Sequence, residues 1–146
     1  IPWYESLDHA GAFQMAYIRR LFEAFPFTEL RPAQDMIVDG PAHGGAKIRA
    51  ARSEKGTFAF FYSPMGERFT IDNRMMKPSR FKEYWYDPRY GCIYYFHTAS
   101  NAAFQTYTPP TSGRGQDWIL IVEDDTAEYS LALTGGKSWK SKAGDV

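Results

Sequence analysis

The residues in this chain with the most chemical potential are its acids, three histidines and one cysteine. Glu67, Asp72, Glu83, Asp87 and Asp117 invite a glycosidase reading, in which two carboxyls flank a sugar at ~5–9.5 Å. No spacing among them singles out a pair. Asp72 and Asp87 stand at strand ends, where Asp commonly bonds turn backbone. His9, His43 and His97 lie far apart, with no i, i+4 pair of the kind that grips a metal. Cys92 has no nearby partner and reads as an inert buried thiol. Glu123-Asp124-Asp125 lacks the regular ligand spacing of a calcium loop, and a solvated turn is the simpler expectation. Gly44-Gly45 precedes a strand rather than a helix, so it is no phosphate cradle. No local motif assembles a Ser–His–acid set. The expectation is a chain without catalytic residues, metal or cofactor.

Aromatic residues carry the stronger signal. The 146 residues include 11 Phe, 10 Tyr and 4 Trp, and they crowd the segments 58–62, 84–86 and 90–96. Sugars and proline-rich chains dock on flat aromatic faces with a polar edge. Tyr84, Tyr86, Tyr94 and Tyr95 are the candidate ligand residues. The competing reading is a sandwich core plus a packing face against a neighbouring domain. For that interface the candidates are Phe13, Tyr17, Leu21 and Trp118.

These side chains need elements to position them. Residues 8–25 carry a helical stripe of Phe13, Tyr17, Ile18, Leu21, Phe22 and Phe25. Ser6 or Asp8 suits its cap, and Pro26 ends it. Residues 26–45 hold Pro26, Pro32, Gly40, Pro41, Gly44 and Gly45 and read as an irregular connector. After Gly45 the apolar period becomes two. Strands are expected over 46–52, 57–63, 67–72, 80–87, 91–98, 104–108 and 117–123, separated by Gly/Pro turns. Strict alternation puts Tyr84 and Tyr86 opposite Phe81 and Trp85, and Tyr94 and Phe96 opposite Ile93 and Tyr95. Trp118–Val122 is apolar without alternation, as suits a strand covered on both faces, one by the sandwich core and the other by the helix. The fold expected is mostly β: an antiparallel sandwich of about seven to eight strands preceded by one amphipathic α-helix. The domain plan is 1–45 helix and connector, 46–134 sandwich and 135–146 flexible tail.

Composition bounds the partners. Seventeen Lys+Arg balance 17 Asp+Glu, so a basic nucleic-acid footprint or polybasic membrane anchor is not the theme. No apolar run reaches the ~20 residues of a membrane span. One Cys excludes an internal disulfide framework. The first residue is Ile1, and a fragment of a longer protein is the expectation.

Several segments, taken in order, resemble one family. They are "GAFQMAYIRRLFEAFPFTELRPAQDMI", "IRAARSEKGTFAFFYSPMGERFTID", "WYDPRYG", the run from Phe104 to Pro109-Pro110, and "DWILIVED". Across residues 8–125 the chain resembles the C-terminal β-sandwich of bacterial apiosidase-like glycoside hydrolases, a domain labelled "putative collagen-binding domain of a collagenase". Phe27 stands where the pattern has Trp after the proline, which keeps an aromatic there. The resemblance implies a (β/α)-barrel catalytic domain upstream that carries the paired acids, none of which has a counterpart here. It implies a non-catalytic accessory domain that packs on and stabilises the barrel. The alternative is a carbohydrate- or collagen-binding module using exposed aromatics. It further implies a secreted or periplasmic protein acting on plant-type polysaccharide.

Overall fold

The computed structural model describes residue 21 and residues 23–127. Nine strands form two antiparallel sheets. Their ranges are β1 Leu30–Pro32, β2 Ile37–Asp39, β3 Arg49–Ser53, β4 Phe58–Ser63, β5 Phe69–Asp72, β6 Arg80–Asp87, β7 Cys92–Ser100, β8 Phe104–Tyr107 and β9 Trp118–Asp124. The large sheet runs β1-β3-β4-β9-β6-β7 and the small one β2-β5-β8. All seven expected strands are present. The connector over 26–45 is more ordered than expected: β1 pairs with β3 and β2 with β5, so this segment supplies an edge to each sheet. The expected helix lies almost wholly outside the described residues, as does the tail over 135–146. Leu21 and Glu23 are helical and a turn follows at 24–26. Among the described residues no helix reaches seven residues.

Sequence explains the local choices. Ser53-Glu54-Lys55-Gly56 closes the β3–β4 connection, and the Ser53 hydroxyl accepts from Thr57 N (2.8 Å) and Phe58 N (3.2 Å). Gly66 adopts φ +67°, and a Cβ there would stand 2.8 Å from Gln116 O and closer still to Thr111 O. The turn after β4 therefore presses on the loop before β9 with no room for a side chain. Gly66→Ala should lower stability by ~2 kcal/mol or more, from steric conflict and left-handed strain together. Urea unfolding at constant m-value measures it. A variant as stable as the parent would show that the 111–116 loop yields.

The large sheet is buried on both faces. One face packs on the small sheet through Phe61, Trp85, Leu120 and Val122 against Phe69, Ile71 and Tyr107. The other face gathers Phe58, Phe60, Tyr84, Tyr86, Ile119 and Ile121, and Leu21 and Phe25 close over it. The Phe25 ring lies 5.0 Å from both Phe58 and Phe60. This double burial is why β9 shows no alternation: Trp118, Leu120 and Val122 serve one core, Ile119 and Ile121 the other. It also accounts for the aromatics crowded at 58–62 and 84–86. Among the described residues the exposed large apolar side chains are Val38, Met75, Tyr90 and Phe104, which sit on four different segments rather than in one patch.

Candidate functional site

The "WYDPRYG" segment builds a clamp. Asp87 ends β6, and its carboxylate accepts from Arg89 N (2.8 Å), Nε (2.9 Å) and one terminal nitrogen (3.1 Å). The other terminal nitrogen of Arg89 donates to Gln116 Oε1 (2.9 Å) and Gly115 O (3.2 Å). The guanidinium lies 5.2 Å from the Trp118 ring centroid and 5.6 Å from that of Tyr90. Arg89 suits this place because a planar cation stacks on rings while its fork meets a carboxylate. Two of the family-specific segments, "WYDPRYG" and "DWILIVED", are thus joined by structural contacts.

Asp117 also approaches this clamp, its Oδ1 3.9 Å from Arg89 Nε, so Asp87 and Asp117 flank one guanidinium. Three buried carboxylates each accept from a tyrosine hydroxyl: Asp117 from Tyr62 (3.1 Å), Glu123 from Tyr84 (3.1 Å) and Glu83 from Tyr107 (2.6 Å). A buried charge needs such partners. Burial pushes the Asp117 carboxyl up, while the bond from Tyr62 and the Arg89 charge pull it down. Burial raises Glu123 to about 7, opposed by Tyr84 and Lys82. The three tyrosines are pushed up by burial and by their acids, so they stay protonated and donate. Asp72 forms an exposed pair with Arg74 at 2.9 Å, which lowers its pKa. Glu67 is exposed. Among the described residues these carboxylates, Glu67 aside, are thus tied to internal tyrosines or to a neighbouring arginine.

Among the described residues no group of three or more His, Cys, Asp or Glu could hold a metal ion. His43 is exposed, and His9 lies outside the described residues. Cys92 is half-buried rather than fully buried, with its thiol 3.7 Å from Tyr90 O, because it sits on the edge strand β7.

The four candidate tyrosines separate into two pairs. Tyr84 and Tyr86 are 1% and 0% exposed and belong to the core under Leu21 and Phe25. Neither ring offers a face to a ligand, because the side of β6 that carries them is the covered one. Tyr94 and Tyr95 are half-buried on β7 and pack toward the small sheet. Strict alternation put these two on opposite faces and paired Tyr94 with Phe96. A bulge overturns that: Glu83 pairs with His97 but Trp85 pairs with Tyr94, so Tyr84 faces two residues. Tyr95 is the inserted one, with φ +57°. Phe96 consequently turns to the other core, where its ring stacks on Tyr84 at 5.4 Å. A bulky residue in the left-handed region costs ~1 kcal/mol or more, and glycine is the usual occupant of such a bulge. Strain of this kind gathers at functional sites.

The candidate interface residues also have definite places. Leu21 is fully buried in the core of this chain and Trp118 is 2% exposed, packed edge-on by Tyr94 and Trp85. Both are covered by residues of their own chain. Phe13 and Tyr17 lie outside the described residues.

Around Tyr95 the geometry is fixed. His97 places Nδ1 3.0 Å from Tyr95 O and Nε2 3.1 Å from Glu83 Oε1, while the other Glu83 oxygen takes the Tyr107 hydroxyl from the small sheet. Edge strands β7 and β8, one from each sheet, are thereby tied through one acid. The sequence flagged Glu83 as an acid but gave no sign of this cross-sheet link, which depends on the bulge phase of β7.

A family described as "Putative collagen-binding domain of a collagenase" matches residues 31–123. Solved structures share the fold, two of them glycoside hydrolases. One is a glycoside hydrolase family 5 protein from Bacteroides vulgatus, at TM-score 0.71 and 23% identity over 80% of this chain. The other is a glycoside hydrolase, at TM-score 0.73 and 24% identity over 88% of this chain. The chain spans only 25% and 28% of their respective lengths. No curated protein matches it. Among the described residues no helix is long and apolar enough to cross a membrane. With the match covering both sheets and both motif segments of the clamp, the chain belongs to the family described as "Putative collagen-binding domain of a collagenase".

Proposed function

We propose that this chain is the non-catalytic, C-terminal accessory β-sandwich of a bacterial glycoside hydrolase of the apiosidase-like group, packed on a (β/α)-barrel catalytic domain. The observation that carries the reading is the coverage: 80% and 88% of this chain correspond to 25% and 28% of two glycoside hydrolase chains. Three buried acids bonded to tyrosines support a structural rather than catalytic role. On this reading Phe13 and Tyr17 contribute to the joint with the barrel, and the parent acts outside the cytoplasm on plant-type polysaccharide. Removing residues 30–124 from the parent hydrolase should lower the melting temperature of its barrel by several degrees. This chain alone should release no product from aryl glycosides. A barrel that melts and turns over unchanged after the removal overturns the reading.

A second reading, a carbohydrate- or collagen-binding module, is favoured by one specific observation. Tyr95 is strained, half-exposed and turned by a bulge toward the edge of the sandwich. Tyr94 and Tyr95 remain its candidate residues.

A further inference from the structure

We infer that the mouth of the sandwich between β7 and β8 binds a neutral polysaccharide, with Tyr95 as the stacking ring, Gln105 as a polar contact and His97 holding Tyr95 in place. The inference rests on the binding-module reading and adds to it the ligand class and the residues.

Three observations describe these two edges. The bulge turns Tyr95 to the inner side of β7. Gln105 pairs directly with Ile71, and paired residues project to the same side of a sheet. Ile71 is fully buried there, yet Gln105 is exposed. The small sheet therefore stops short, and its inner side opens at β8. His97 on β7 exposes 57% of its side chain while both ring nitrogens are engaged, by Tyr95 O and Glu83. His97 thus spends both nitrogens on fixing the Tyr95 backbone before any ligand arrives, which reduces the ordering cost of binding.

The chemistry selects the ligand. The Gln105 amide both donates and accepts, as does the Tyr95 hydroxyl. A sugar ring supplies hydroxyls that do both, and its apolar face stacks on tyrosine. A proline-rich chain brings carbonyl acceptors and few donors, so the acceptors here would go unmet. No free cation faces the mouth among the described residues of β6 and β7. Arg80 donates to Thr98 and Ser100, which project to the opposite side of β7 from His97, and Arg89 is held by Asp87. That disfavours a uronate chain. The Tyr94 and Tyr95 rings meet at 66° with centroids 6.2 Å apart. They form a corner rather than a flat row, so one sugar unit stacks on Tyr95 while Tyr94 braces it from behind.

The test uses the full 146-residue chain in affinity gels containing hydroxyethylcellulose, galactomannan, arabinan, polygalacturonate or gelatin. At least one of the three neutral glycans should retard it. Tyr95→Gly, which suits the left-handed backbone, should weaken that binding about tenfold with Tm unchanged or raised. Tyr95→Phe should hold within about twofold, and Gln105→Ala, a surface change, should weaken binding without moving Tm. Retardation by polygalacturonate or gelatin alone would overturn the ligand class. Binding to a neutral glycan that survives both Tyr95→Gly and Gln105→Ala would overturn the site while leaving the binding-module reading intact. No retardation by any of the five would sink both.

Discussion

Phe60→Ala should cost this chain ~3–5 kcal/mol of unfolding free energy, the cost of deleting a large ring from a close-packed interior. Phe60 is fully buried, meets Phe25 edge-on at 5.0 Å and lies 5.5 Å from Phe58. The size of the effect decides what its side of the large sheet is for. A surface normally covered by a separate domain would already be wet in the isolated chain, and shortening a side chain there would cost well under ~1 kcal/mol. A surface closed by Leu21 and Phe25 of the same chain would show the full loss. Urea unfolding of the chain and its variant, at matched m-values, measures the difference. A loss below ~1 kcal/mol would return the aromatic surplus to a missing partner.

Glu123→Gln should stabilise the chain at pH 8 by up to ~3 kcal/mol and change little at pH 4.5. Burial raises the Glu123 carboxyl from 4.5 to about 7. The folded state therefore holds a proton that the unfolded chain has released across that interval. Stability from this group is fully present below 4.5, declines as pH rises through the interval, and is lost above about 7. The ceiling follows from ~1.4 kcal/mol for each pH unit of displacement. Glu123 Oε1 has no hydrogen-bond partner, which adds to the cost of its charge. Glutamine keeps an acceptor for Tyr84 and carries no charge. Unfolding free energies of both proteins at half-unit steps from pH 4.5 to 8.5 should converge at the acid end and separate at the alkaline end. Parallel curves would mean that Glu123 is not the titrating group.

The strands of residues 46–124 were legible because Gly and Pro punctuate a period-two pattern. The unpatterned β9 even announced that both its sides are covered. The short strands were not legible. β1 and β2 have three residues each, flanked by 3-10 turns, too few to show a period. Pro32 also argued against a strand, and it is tolerated because β1 is an edge. The binding surface was half legible. Composition singled out four tyrosines, but a strand with aromatics on both sides does not say which side is covered. That fell to Leu21 and Phe25, residues distant in sequence. The bulge at Tyr95 was invisible for a different reason: nothing local marks it, since tyrosine stands where glycine would have advertised the turn of the backbone. Glu83, Glu123 and Asp117 looked like candidate acids or a solvated turn until their tyrosine partners, 24, 39 and 55 residues away, came into contact.

The order of strands in the large sheet has a bearing on how the polypeptide acquires its shape. β9 is the last strand of the described chain, yet it lies between β4 and β6 and pairs with both along most of its length. Before it arrives, β3–β4 and β6–β7 can exist only as separate hairpins, each with an open edge. A newly made chain emerging from the ribosome must therefore wait for residues 118–124 before either hydrophobic layer can close. Long-range closure of this sort is slow and leaves sticky edges in the interim. The final strand is thus the keystone that joins the two halves of the large sheet.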